Sequence, residues 1–238
     1  MLAVLQWVYD WDWITSEGTI NTALMHGPKN SLALNIAADI AKTLGHYEKA
    51  IELGIKAVNV DPLNSVILTD LGDIYREAGQ LEDAANVFEQ ILELYPEQDV
   101  TYARLSLVRT EQGNAEDGLR LAQKEKFQAS RVWASFFALH ALGRQEEATV
   151  ATNYLVENER HWLAYQIAGV FAFQGNPDKA FEWLEITYEQ RDGGITHILG
   201  DLSMVSLYDD PRWEPYLLKL GLLDAWKDLQ KRRAEASI

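Results

Sequence analysis

The side chains able to take, give or hold a charge are many in this 238-residue chain, but few of them share a spacing that chemistry needs. Five histidines are present: His26, His46, His140, His161 and His197. None is paired with another at ligand spacing on one helix, and no HExxH stretch occurs, so a zinc site has no framework in the sequence. His140 and His161 are the two that neighbouring segments could bring together, yet unpaired histidines are far more often surface or groove residues than ligands. Gly193-Gly194 is not followed by the Gly-Lys-Ser/Thr of a phosphate loop and reads as the end of a helix. Asp209-Asp210 precede Pro211 and read as helix-capping acids rather than a cation site. No nucleophile elbow is present, and with no cysteine neither thiolate chemistry nor a disulfide framework is available. The expectation is a protein without a catalytic centre, cofactor or metal.

Charge is more informative. The formal net charge is -15, of which residues 31–98 contribute -8 through twelve acidic and four basic side chains. A surface of that sign repels phosphate backbones, so nucleic acid and anionic membranes are excluded as expected partners of this segment. No apolar run reaches the length of a membrane span, and the apolar opening Met1–Tyr9 lacks the basic leader and small-residue cleavage site of a secretory signal. A cytoplasmic location is expected.

The elements that position these residues are set by a repeat. Pro28, Pro62 and Pro96 stand 34 residues apart, as do Gly45, Gly79 and Gly113, and as do Ser16, Ala50, Ala84 and Gly118. The glycine ladder continues at Gly143 and Gly175, and the small-residue ladder at Ala148 and Ala180, at intervals of 30 and 32. Glycine after an apolar-periodic run ends a helix in the left-handed region. Acids such as Glu48, Glu82 and Asp83 open the next helix at the positive end of its dipole. A small residue inside that helix lets its neighbour approach closely, and proline marks the turn into the next pair. No segment alternates with a period of two, so no strand is predicted.

The motif Leu71-Gly72-Asp73-Ile74-Tyr75, with Ala84, Phe88 and Pro96, resembles the tetratricopeptide repeat signature in one unbroken copy. Around it, 31–64, 65–98, 99–128, 129–160 and 161–192 resemble successive repeats, with 1–30 a clipped first copy and 193–238 a set of C-terminal capping helices. This resemblance implies an all-α fold, a right-handed superhelical solenoid of antiparallel helix pairs whose first helices line a concave groove. The tail, from Phe181-Glu182-Trp183 through Asp210-Pro211-Arg212-Trp213 to Leu222, and the Trp11-Asp12-Trp13 element resemble helical repeat regions found downstream of bacterial cyclase or winged-helix regulator domains. That resemblance implies a docking or regulatory part of a larger signalling protein, with the arm of a nucleotide cyclase or a free-standing adaptor as alternatives.

Binding is expected in the groove. Helical phase places Trp133 and Phe137 on the groove side of one first helix, Trp162 and Tyr165 on the next, and Phe173 near its end. These rings serve either as core or as anchors for a partner. Asp39, Asp70, Asp73 and Glu77 face or border the groove as an acidic rim suited to a basic or amphipathic protein segment. Asp39, Asp70 and Val100 hold the places where a carboxylate-binding clamp needs amide or basic side chains, which argues against capture of chaperone tails. At the other end, apolar Leu2, Leu5, Trp7, Val8 and Tyr9 are expected to support self-association.

Overall fold

The computed structural model describes residues 2–236; Met1 and positions 237–238 of the expected cap lie outside the described residues. The described residues form helices and turns, with no strand among them. A short helix α1 (Leu2–Val4) runs into a π-helical turn, Leu5–Asp10, that ends at Trp11 in the left-handed conformation. Helix α2 (Trp13–His26) follows. The helix pairs are α3 (Ser31–Thr43) with α4 (Tyr47–Val60), α5 (Ser65–Glu77) with α6 (Leu81–Leu94), and α7 (Thr101–Glu111) with α8 (Ala115–Ala122). Two more are α9 (Gln128–Ala141) with α10 (Gln145–Asn158) and α11 (Ala164–Phe173) with α12 (Pro177–Gln190).

Local chemistry explains these boundaries. Asn30, Asn64, Asn114 and Asn176 cap α3, α5, α8 and α12 by accepting amide hydrogens of the first turn, and Pro177 opens α12 where its missing N–H costs nothing. The five ladder glycines all sit between the helices of a pair with φ of +71° to +85°. At Gly45 the following amide, His46 N, reaches back to Ala41 O and Gly45 N to Lys42 O, a paired closure that Gly79 repeats with Tyr75 and Arg76. Ala50, Ala84, Ala148 and Ala180 are buried inside the second helices. At Gly118 the approach is closer still: an added Cβ would lie 2.9 Å from Ser106 O on α7. Helix α8 is only 8 residues long against 14 in α6, which accounts for the tightened interval after Gly118. Consecutive first helices α3, α5, α7, α9 and α11 touch one another and form the concave side.

The tail does more than cap the last pair. Arg191 turns the chain at φ +54°, and two 3-10 turns, Gly193–His197 and Leu202–Leu207, run back into the concave side against α11, with the first also reaching α3. Aspartates at nine-residue steps shape this path: Asp192, Asp201 and Asp210 accept the amide two residues on, from Gly194, Ser203 and Arg212. Helix α13 (Trp213–Lys219) packs on α12, where the Tyr216 hydroxyl donates to Leu184 O at 2.6 Å. Helix α14 (Leu223–Ala236) is bound to α13 and the tail by the cluster Tyr208, Trp213 and Trp226. It then meets the first pair, where Leu229 lies against Gly45 and Arg232 donates to Gly45 O at 3.0 Å.

At the other end Trp7 Nε1 donates to Thr43 at 3.0 Å, Trp11 stacks on Trp13, and Arg191 lies over the Trp11 ring at 4.4 Å. Leu2, Leu5 and Tyr9 remain exposed, joined by Ile14 and Met25, while Ala3 is buried and Val8 lies near Gly193.

Candidate functional site

The first helices bring an ionic cluster to the concave side. Asp39 and Lys42 come from α3, Asp70, Asp73, Arg76 and Glu77 from α5, and Arg104 from α7. Lys42 Nζ stands 3.7 Å from Asp39 and 3.8 Å from Glu77. Asn35 donates to Asp70 at 2.7 Å, and Arg104 Nε lies 2.9 Å and 3.0 Å from the two Asp73 oxygens. His197 of the tail completes the cluster, its Nδ1 2.5 Å from Glu77 Oε1. Burial, and then the neighbouring Asp70, push the Asp39 carboxyl well above the usual range; burial raises Asp70 as well. Burial also pushes on Asp73, but Arg104, His197 and Lys42 together bring it below the ordinary value. Lys42, though desolvated, is held above its ordinary pKa by Glu77 and Asp39.

The expected acidic rim is therefore corrected. Asp39, Asp73 and Glu77 are buried, and Asp70 is half-buried. Their charges are answered inside the protein by Lys42, Arg104 and His197, and the tail lies where the open groove was predicted.

The tail leaves part of the groove uncovered, and two adjoining cavities remain there. The first, about 200 Å³, is lined by Asp73, Glu77, Arg104, Trp133, Tyr165 and Asp201, with Val100 and Leu163 among its further walls. The second, about 210 Å³, is mainly apolar and lined by Thr110, Phe137, Ala141, Phe173 and Leu202. Arg76 and Leu107 belong to both linings. Arg76 is fixed there by Glu111, with Nε at 2.9 Å and 3.0 Å from its two oxygens. The rings are set edge-on: Phe137 is 5.8 Å from Trp133 and 5.1 Å from Phe173.

Of the residues singled out from the sequence, Trp133, Tyr165, Asp73 and Glu77 meet at the first cavity, and Phe137 and Phe173 at the second. Asp39 and Asp70 lie outside both linings. Trp162 is a correction: it is not on a first helix but in the turn before α11, 80% exposed. Tyr165 is 3% exposed and spends its hydroxyl on Asp201 at 3.0 Å, so it is a wall of the cavity rather than a free ring. Arg76, Arg104 and Leu107 were not anticipated, although the 31- and 35-residue separations of the pairs Asp73–Arg104 and Arg76–Glu111 echo the repeat period. His197 and Asp201 carried no signal as groove residues beyond the nine-residue aspartate spacing. Among the described residues no three histidine, cysteine or acidic side chains are grouped to hold a metal ion, and no helix is long and apolar enough to cross a membrane. The His140 ring lies tilted against Phe136 and edge-on to Phe173, while His161 is exposed before α11.

Residues 30–97 match the family model of the tetratricopeptide repeat. No curated protein matches the chain. Among solved structures, a tetratricopeptide repeat protein from Parabacteroides merdae ATCC 43184 is similar at 19% identity and a TM-score of 0.53, over 96% of each chain. PilF of Pseudomonas aeruginosa is similar at 16% identity and a TM-score of 0.55, over 85% of this chain and 90% of that one. The fold is the all-α, right-handed solenoid of tetratricopeptide repeat proteins, and residues 30–97 carry the repeat in the form by which that family is recognised.

Proposed function

We propose that this chain is a non-catalytic protein-interaction module that binds a short extended segment of a partner in the uncovered part of its concave side. The observation that carries this reading is the pair of cavities of about 200 and 210 Å³ meeting at Arg76 and Leu107, one lined by charged and apolar residues together and one mainly apolar. Each is the size of one or two side chains. With the tail in place the groove lacks the length for a docked helix, and a segment that sends an apolar side chain against Phe137 and Phe173 and a polar one towards Asp201 fits instead. The acidic character of the chain favours a basic segment in the encounter. The Trp11-Asp12-Trp13 element and the tail support a further reading: the docking or regulatory part of a larger cytoplasmic signalling or transcription-regulatory protein.

Selection of a random peptide-display library on the parent chain and on Ala141→Trp tests the site, because Ala141 is an exposed residue of the second cavity. Peptides that bind the parent and lose at least about tenfold, or about 1.4 kcal/mol, on Ala141→Trp are expected. No enrichment, or peptides that bind both proteins equally, overturns the reading.

A further inference from the structure

The concave side over α3 and α5 is covered by the chain's own tail, and the covering stretch has the form of a bound peptide. It is built of two 3-10 turns joined by tight turns, with extended backbone at Asp192 and Asp201, between two anchors, α12 and α13. His197 reaches Glu77 and Lys42, and the two aliphatic residues after it, Ile198 and Leu199, are each 1% exposed. Gly200 then passes so close to α4 and α5 that an added Cβ would stand 2.2 Å from the Tyr47 hydroxyl and 2.8 Å from Glu77 Oε2. Those same two atoms, buried and facing Gly200, have no hydrogen-bond partner among the described residues. A buried polar group without a partner is costly, so the tail fills this seat without satisfying it. The seat also has a sign. Lys42 from α3, Asp73, Arg76 and Glu77 from α5, Arg104 from α7 and Asp201 from the tail stand around the imidazole; with Glu111, which pairs with Arg76, four carboxylates face three cations.

We infer that the α3–α5 side is a second docking surface, which residues 193–207 occupy as an internal ligand and vacate for a partner segment of the same chemistry: a tightly turned stretch with a cationic side chain just before two branched aliphatic residues. The carboxylates supply the preference for a cation, and the space filled by Ile198 and Leu199 supplies the preference for aliphatic side chains. Helices α13 and α14 keep their own bonds to α12, Trp13 and Gly45 while the stretch between the anchors loops out. Competition between internal and external segments lowers the apparent affinity of a partner by the fraction of molecules whose seat is free.

A labelled peptide of residues 192–200, which ends before Leu202 and Ser203 of the second cavity, is added to the full chain to test this inference. Gly200→Val should drive the internal segment from its seat and leave the helices in place, so the peptide is expected to bind this variant at least tenfold more tightly than the parent. Glu77→Gln in the same background should abolish that gain, and Ala141→Trp should not change it, which separates this surface from the cavities proposed above. Equal binding to parent and Gly200→Val, or no binding to a variant that circular dichroism shows to be helical, overturns the inference. Amide exchange in His197→Ala gives a second reading. Exchange should quicken at least tenfold in 195–207 and stay unchanged in α6 to α10; an equal increase through all helices would make the tail an inseparable part of the core and sink the proposal.

Discussion

The indole of Trp13 donates a hydrogen bond of 2.7 Å to the carbonyl oxygen of Leu220, 207 residues later in the chain. Both partners are buried, so neither finds water if the bond is lost. Trp13→Phe keeps most of the ring packing and leaves Leu220 O without its donor. A loss of about 1–3 kcal/mol in urea unfolding is expected, and a cost within a few tenths would show that the carbonyl finds another partner.

Removal of the chain from residue 209 onward strips Trp213, Tyr216, Leu217 and Trp226 from their contacts with α12 and the tail. The truncated protein is expected to aggregate or to melt far below the parent. An unchanged melt of a monodisperse truncated chain would refute the capping role of α13 and α14.

Ala84 is fully buried where α5 and α6 pack, and Ala84→Leu adds volume that this contact cannot take. The variant is expected to lose about 1–3 kcal/mol by chemical denaturation. A neutral result would mean that the two helices separate without penalty.

The two rings Trp162 and Phe137 should part company on mutation. Trp162→Ala removes a side chain that stands 80% in solvent, and its stability should stay within about 0.5 kcal/mol of the parent. Phe137→Ala removes a ring packed among Trp133, Phe136 and Phe173, at a cost of about 3–5 kcal/mol. Thermal melts of both variants decide the assignment, and a large loss on Trp162→Ala would contradict the turn position.

The raised carboxyls give stability a slope with pH. Asp39 and Asp70 hold their protons more tightly folded than unfolded, where the ordinary value is 3.8. Their contribution is complete below that value and is lost as pH rises through the folded pKa values. Asp73 works in the opposite sense, contributing above 3.8 and failing as pH falls. Asp39→Asn should therefore gain on the parent as pH rises above 3.8, read as the difference in urea midpoints along a pH series that starts below that value. A constant difference would show that Asp39 does not titrate differently in the folded protein.

The solenoid was legible because its signals are local. A glycine at Gly45 or Gly79 is demanded by a left-handed turn a few residues long, and Ala50 and Ala84 by the closeness of two successive helices. The aromatic positions Trp133 and Phe137 were equally readable from helical phase within α9. Phase failed at Trp162 because α11 has only 10 residues: it begins at Ala164, and the indole falls into the turn before it. The burial of Asp39, Asp73 and Glu77 had no local signal at all. It depends on a tail whose contact with them, His197 to Glu77, spans 120 residues, and on charges such as Arg104 that look solvated in the sequence.

A linear array of helix pairs yields from its ends, because each unit leans only on its neighbours and the outermost has one neighbour instead of two. The clasp of α14 on Gly45 and of Trp13 on Leu220 removes those ends. Fraying of the first pair costs α14 its support, and fraying of α13 and α14 uncovers the last pair, so the loss of either spreads beyond its own end. The helix pairs therefore give up the end-first unfolding of an open array, while the stretch 193–207 between the two anchors keeps a local opening of its own. The chain reaches its clasped state through a loop closure of more than two hundred residues, the slowest kind of contact for a helical chain to make.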